Sequence, residues 1–459
     1  MGLKLKLEVK NAFLGSHQAP EVVAAAANVD ATAVAVDVSA CCRSVVAAIE
    51  HQSSGHTVTA SRIAYRFFTK YTGPHPEANI FYFAFDSYSD MHPLRFKMYD
   101  ESRYAPATAT RLANLKPGEV AVGSRVYRHE SRPYTRDEVD AWGLHTEIDA
   151  RRVFSGSPGK TRLYQLMFDE MTRLSAEQTG LRGPRTMVFD GIGSYDDPNG
   201  VVTVELNGKD RGFPPKLTAA PRKGKHGEAD QKLANFFATM ASKGEGAVWY
   251  TIDGDAIGQC VCLGLRPRIV FSKNQVVDPA KLPQGASTAL ALLSDGGDYN
   301  DSFVYAGIYS ETLLGAEPAA DLVKLQPDGT VTIDTTRLFR FLGTEPGTQR
   351  RKRTVFSVEG EPPAKFYRTQ AKAREAAEAH GGVAVKKSGA TGHMVVQSIG
   401  DLVRSVVYWL HAGTANSSDF GMMGGLYTSL AGSLGDLGRE VTAETLRGMN
   451  LDPLHIKPT

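Results

Sequence analysis

An apolar run that stops on an aspartate occurs five times in this 459-residue chain. The runs are Ala33-Val34-Ala35-Val36-Asp37, Phe81-Tyr82-Phe83-Ala84-Phe85-Asp86, Met187-Val188-Phe189-Asp190, Val248-Trp249-Tyr250-Thr251-Ile252-Asp253 and the looser Leu292-Leu293-Ser294-Asp295-Gly296-Gly297-Asp298. Each has the length and the β-branched or aromatic content of a buried strand. Helical patterns separate them, and strands alternating with helices predict a mostly parallel α/β sheet over residues 1–310. In such a sheet, ligands sit beyond the carboxyl ends of the strands. Aspartates at those ends would bring carboxylates from distant parts of the chain into one crevice. Crowded carboxylates oppose one another's ionisation, and a divalent cation offsets that cost.

Composition narrows the partners. A hydrophobic fraction of 42% and a charged fraction of 22% are those of a soluble globular chain, and the formal net charge is only +2. A bound nucleic acid therefore needs a local basic surface, not a global one. The four cysteines fall as Cys41-Cys42 and Cys260-x-Cys262, a poor disulfide framework that points to a reducing compartment. No apolar run reaches the roughly 18 residues of a membrane span, and the first residues lack a signal-peptide core. The expected location is cytosol or nucleus, or a virus-related compartment.

Along the chain, helices are expected over Ser39–His51, Ala60–Lys70 and Lys160–Ala176, and from Gly227 onward, with Leu233, Phe236 and Phe237 on an apolar face. Residues 105–225 read largely as an insertion, with a strand at Val201–Leu206. Arg268–Phe271 reads as a further short strand. Residues 311–459 are expected to be mainly helical, with a hairpin near Lys324–Ile333 and helices at Lys365–His380 and Val396–His411. The basic run Arg350-Arg351-Lys352-Arg353 is expected on a loop. Gly156-Ser157-Pro158-Gly159-Lys160-Thr161 lacks the glycine spacing and the leading strand of a phosphate-binding loop.

The acids that stand out are Asp37, Asp86, Glu228, Asp230, Asp253, Asp255 and Asp298. Carboxylates without a histidine or cysteine cluster suit hard cations such as Mg²⁺ or Mn²⁺. Two such ions about 3.5–4 Å apart serve in-line displacement at phosphorus. Glu228 and Asp230 are spaced i, i+2, so they converge only at a loop-to-helix junction. Asp253-Gly254-Asp255 is a strand-to-helix turn, where glycine frees the backbone.

The order of these features resembles the flap endonuclease and 5′-exonuclease superfamily, with its PIN-like catalytic domain. The chain opens Met1-Gly2-Leu3, similar to the Met-Gly-Ile or Met-Gly-Val of those enzymes. Val36-Asp37-Val38-Ser39 resembles the family's first strand end, and Phe83-Ala84-Phe85-Asp86 its second. Gly227-Glu228-Ala229-Asp230 resembles the paired acids of the Gly-Glu-Ala-Glu type, and Ile252-Asp253-Gly254-Asp255 the pair that follows. Gly296-Gly297-Asp298-Tyr299 resembles the Gly-x-Asp-Tyr that closes the catalytic domain. The resemblance covers roughly 150 residues. It implies a PIN-like fold and two Mg²⁺ or Mn²⁺ ions held by these seven acids. The implied activity is hydrolysis of phosphodiester bonds in DNA flaps or RNA, near a 5′ end. It also implies Lys97 and Arg103 as the basic residues that steer the scissile phosphate.

The chain departs from the family pattern in three places. Asp230 stands where the family usually has glutamate. The stretch 105–225 is longer than in a simple flap endonuclease. After Tyr299 the sequence Val304-Tyr305-Ala306-Gly307-Ile308 lacks the Gly-x-Gly that grips duplex DNA. Asp190 has no counterpart and reads as a structural strand end. The alternative reading is a nuclease-derived protein that no longer cuts and serves as a structural or nucleic-acid-binding part of a viral or other large assembly.

Overall fold

The computed structural model describes residues 31–53, 55–86, 112–122, 125–155, 157–177, 185–191, 201–206, 216–220, 229–271, 275–281, 284–285, 289, 292–293, 305–306, 323–325, 331–333, 351–352, 355–360, 367, 370–388 and 409. Its strands are β1 (Ala33–Asp37), β2 (Thr57–Thr59), β3 (Ile80–Ala84), β4 (Glu119–Val122), β5 (Arg125–Arg128), β6 (Glu147–Asp149), β7 (Arg185–Asp190), β8 (Val201–Leu206), β9 (Lys216–Ala220), β10 (Ala247–Tyr250), β11 (Arg268–Phe271) and β12 (Gln275–Val277). The helices among them are α1 (Val38–Ser53), α2 (Ala60–Thr72), α3 (Arg136–Asp140), α4 (Ala150–Val153), α5 (Ser157–Glu177), α6 (Ala229–Thr239) and α7 (Asp255–Leu263).

One 8-stranded sheet organises these elements, in the order β12-β11-β10-β1-β3-β7-β8-β9. The strands β11, β10, β1, β3 and β7 run parallel. The outer strands β12, β8 and β9 are antiparallel to their neighbours. The expected α/β class with a mostly parallel sheet flanked by helices is therefore what the chain forms. After β1 the chain builds outward through β3 and β7, then returns to the other side of β1 for β10 and β11. The direction of construction reverses between β1 and β10, which is the topological switch point where open α/β sheets bind ligands.

Alternation along each strand divides the core into two faces. Phe81 and Phe83 of β3, Val34 and Val36 of β1 and Val248 of β10 join one buried cluster with residues of α1, α2 and α5. Tyr82 and Trp249 point the other way, against Phe236 and Phe237 of α6, with ring centroids 4.6 and 5.5 Å apart. The continuous apolar runs follow from this arrangement, because the central strands are covered on both sides. α2 forms where Thr59 caps it, its hydroxyl accepting from the Arg62 N–H at 3.2 Å. The apolar side chains Ile63, Ala64, Phe67, Phe68 and Tyr71 fall on its inner face.

Part of the stretch read as an insertion belongs to the core. α5 packs on α2, and β7 pairs with β3 over Ile80–Thr186 to Ala84–Asp190. Within 105–150, where few periodic signals stand out, β4 and β5 form a hairpin and β6 pairs with β2. Lys160 lies inside α5, so the Gly-Lys-Thr stretch is helix and not a phosphate loop. Beyond residue 311 the described residues contain more strand than expected: a hairpin of β14 (Val323–Leu325) and β15 (Val331–Ile333), and another of β17 (Val355–Val358) and β18 (Val385–Ser388). The basic run is not all loop, since β16 (Arg351–Lys352) pairs with β13 (Tyr305–Ala306). The helix expected from Lys365 is found as α8 (Gln370–Ala379), and Trp409 sits on helix within the second expected segment.

Candidate metal centre

Asp37 is the last residue of β1, and the chain turns straight into α1. Its side chain serves that turn: Oδ1 accepts from the Ala40 N–H at 2.8 Å, in the first turn of the helix. Oδ2 accepts from the Thr251 hydroxyl at 3.0 Å, just past β10. The carboxylate therefore spans the switch point between β1 and β10. It is 4% exposed. Burial pushes its pKa well above the ordinary carboxylate range, and the nearby charges of Asp86 and Asp253 push it further. The hydrogen bonds from Ala40 and Thr251 pull the other way without cancelling the rise.

Asp86 follows β3 and is only partly buried. Its N–H donates to Ser39 Oγ at 2.8 Å, and its Oδ1 accepts from the Ala229 N–H at 2.9 Å. Those bonds fix it to the start of α1 and to the start of α6. Asp253, also partly buried, follows β10. Its N–H donates to Thr251 Oγ1 at 3.0 Å, and its Oδ1 accepts from the Asp255 N–H at 3.1 Å, at the first residue of α7. One hydroxyl, that of Thr251, thus contacts both Asp37 and the Asp253 backbone. Three aspartates from three different strand ends lie within electrostatic range at one place.

The remaining acids divide. Asp230 is 7% exposed and engaged in the seam between α6 and α7. Its Oδ1 accepts from the Gln231 N–H at 2.8 Å and its Oδ2 from Gln259 Nε2 at 2.6 Å. Asp255 is buried at the head of α7. Glu228 and Asp298 lie outside the described residues, as do Lys97 and Arg103. Asp190 behaves as a structural strand end. Its Oδ1 pairs with Lys232 Nζ at 3.3 Å, the Tyr82 hydroxyl donates to its Oδ2, and both charged side chains are buried. Lys232 Nζ also donates to the Phe85 carbonyl at 2.8 Å, one residue before Asp86.

Gln259 and Lys232 are not singled out in the sequence; Ser39 enters only as a helix cap, a place that Asp37 takes instead, and Thr251 only as a neighbour of Asp253. The signal for the two hydroxyls was weak but present: each lies two residues from a strand-ending aspartate. Among the described residues, no three His, Cys, Asp or Glu side chains form a compact group around a single ion. The donor chemistry nevertheless suits a hard divalent cation. The ligating atoms on offer are carboxylate oxygens, and both charged groups acting on Asp37 are negative. A cation would reverse that opposition. Comparison of the chain with protein-family models, curated proteins and solved structures returns no match.

Proposed function

We propose that this protein is a divalent-cation-dependent nuclease with a PIN-like core, acting near the 5′ ends of DNA flaps or RNA. The single observation that carries the reading is the meeting of Asp37, Asp86 and Asp253 at the carboxyl ends of β1, β3 and β10, with Asp37 opposed by the other two. Two ions of Mg²⁺ or Mn²⁺ would supply charge neutralisation and a water ionised near neutral pH. Asp37, Asp86 and Asp253 would hold them, joined by Glu228, Asp230, Asp255 and Asp298 directly or through water. Such a sharing of acids between two ions does not need three protein carboxylates on either one.

The chain's own contribution is positioning. Ala40 N–H and Thr251 Oγ1 lock the Asp37 carboxylate, Ala229 N–H locks Asp86, and Asp255 N–H locks Asp253. A site held this way needs little reorganisation when the reaction begins. Hydrolysis forms a bond from a water oxygen to phosphorus and breaks the ester bond opposite it, with a proton passing to the leaving oxygen. Lys97 and Arg103 would steer the phosphate in that displacement.

The test uses 5′-labelled single-stranded and flapped DNA and RNA with Mg²⁺, Mn²⁺ or EDTA. The wild type is expected to cleave with metal and not with EDTA. Asp253→Ala is expected to lose at least about 100-fold in rate, more than the loss typical of a residue that only supports a ligand. Binding without cleavage under every metal condition would favour the non-cutting alternative. Neither binding nor cleavage would overturn the reading.

A further inference from the structure

The two faces of α2 differ sharply in chemistry. The inner face is apolar and buried. The outer face carries Arg62, Tyr65, Arg66, Thr69 and Lys70, whose i, i+3, i+4, i+7, i+8 spacing sets them in one stripe. No acidic residue occurs anywhere in this helix. None of the ion pairs among the described residues involves Arg62, Arg66 or Lys70. The three cations sit four residues apart, or about 6 Å along the helix axis. Tyr65, at 55%, is the most exposed large hydrophobic side chain among the described residues. Beside the stripe a cleft of about 280 Å³ opens between the helices, lined by Val45, Ala48, Ile49 and Gln52 of α1 and by Arg66 and Thr69 of α2.

The stripe also has a direction. Lys70 Nζ lies 3.5 Å from Ser44 Oγ on α1. The Cys41 thiol, one turn earlier on α1, feels both the Asp37 carboxylate and the Lys70 ammonium. The Lys70 end of the row is therefore the end that faces toward Asp37.

We propose that the outer face of α2 is a track for a single strand of nucleic acid, with phosphates on Arg62, Arg66 and Lys70 and a base stacked on Tyr65. This inference rests on the nuclease reading and extends it by naming where the strand runs away from the acids. The row of cations has no acidic partner among the described residues, Lys70 resting on Ser44 and over the Tyr71 ring. Such a row with an interleaved aromatic is the chemistry of single-strand binding, where positive charge follows the backbone and a ring takes an unstacked base. Duplex has no unstacked base to offer Tyr65. An acidic protein surface would satisfy the charges but gives no role to the exposed ring. The apolar cleft gives a second unstacked base a place to enter.

Binding of labelled single-stranded DNA and RNA is measured in EDTA across a salt series, for the wild type, the triple variant Arg62→Gln/Arg66→Gln/Lys70→Gln, and Tyr65→Ala. Losing three phosphate contacts should flatten the slope of log K against log salt by about 2, at about 0.7 per phosphate for single strands. Tyr65→Ala should weaken binding about five-fold or more with the slope unchanged. Circular dichroism checks that the variants fold, and cleavage with Mn²⁺ is scored in parallel. A triple variant with wild-type affinity and slope overturns the track even if the wild type cleaves, and would leave an acidic protein partner for the face. A slope change on a protein that never cleaves keeps the track and removes the nuclease reading. A wild type that binds no single strand overturns the track, and one that also cleaves none overturns both.

Discussion

Asp37 is a residue whose folded environment works against its charge. Burial and two like charges raise its pKa in the fold, so the folded chain without metal binds that proton more tightly than the unfolded chain does. The linkage sign follows. Its contribution to stability is most favourable below the ordinary carboxylate pKa of about 3.9, and it is lost as pH rises through the raised folded value. Asp37→Asn is thus expected to raise the Tm of the metal-free protein at neutral pH, with the gap closing in acid. Asparagine keeps an acceptor for the Ala40 N–H and offers a donor to the Thr251 hydroxyl. Thermal melts over pH check this, and a variant less stable than wild type at neutral pH would refute it. Mg²⁺ or Mn²⁺ should stabilise the wild type and not the variant, because only the wild type recovers a buried carboxylate's charge. At this scale the sequence singles out the aspartates and says little of their partners. An aspartate ending an apolar run announces itself, but the run need not be a strand: Leu292 and Leu293 of the looser fifth run lie on helix. A hydroxyl such as Thr251 acquires meaning only when β10 lies beside β1, and that pairing spans 214 positions.

Between elements, the ion pair of Lys232 and Asp190 ties α6 to the sheet. Lys232 holds the Phe85 carbonyl as well, so one ammonium links α6 to the ends of β3 and β7. Lys232→Met would strand the Asp190 carboxylate in a buried setting. Removing one partner of such a pair costs about 3–5 kcal/mol. Adding Asp190→Asn should recover much of that loss, because the uncompensated charge is gone. Urea denaturation of the two variants measures the difference; equal stability of both would show that the pair carries no such weight. The central strands β1, β3, β7 and β10 were legible because each is a continuous apolar run, and the helices because their apolar spacing survives, whereas the edge strands β9 and β12 were not. β2, β4, β5 and β6 were not, since strands of three or four residues are too short to show a period of two. The short pairing of β16 with β13 was hidden in the same way, by a run of charges that reads as solvated loop.

At the scale of the molecule, the parallel class was visible in the alternation of elements, while the strand order was not. Nothing local in β7 says that it pairs with β3 and leaves β10 to return beside β1. A second long-range feature was equally silent: Trp409 is fully buried, and its ring occupies the space where a Cβ on Gly258 of α7 would stand. That glycine has helical neighbours and carries no turn signal, so its reason lies 151 positions away, at residue 409 less residue 258. Gly258→Ala is expected to destabilise by about 1–3 kcal/mol through overpacking, despite alanine's better helix propensity. Trp409→Ala should cost about 3–5 kcal/mol by leaving a cavity. Chemical denaturation tests both, and a neutral or stabilising Gly258→Ala would show that the tryptophan does not pack there.

The four cysteines give the two helical layers separate clocks. Cys41 and Cys42 sit on α1, Cys260 and Cys262 on α7, and all four are free and buried. Burial pushes the Cys41 thiol up to about 12 and raises the other three as well. Thiols so protected react with an alkylating reagent only when the helix above them opens. The labelling rate of one pair then times the lifting of α1 beside Asp37, and that of the other times the lifting of α7 beside Asp253. Unequal rates would mean that the two sides of the carboxylate crevice breathe independently, and equal rates that they open as one unit.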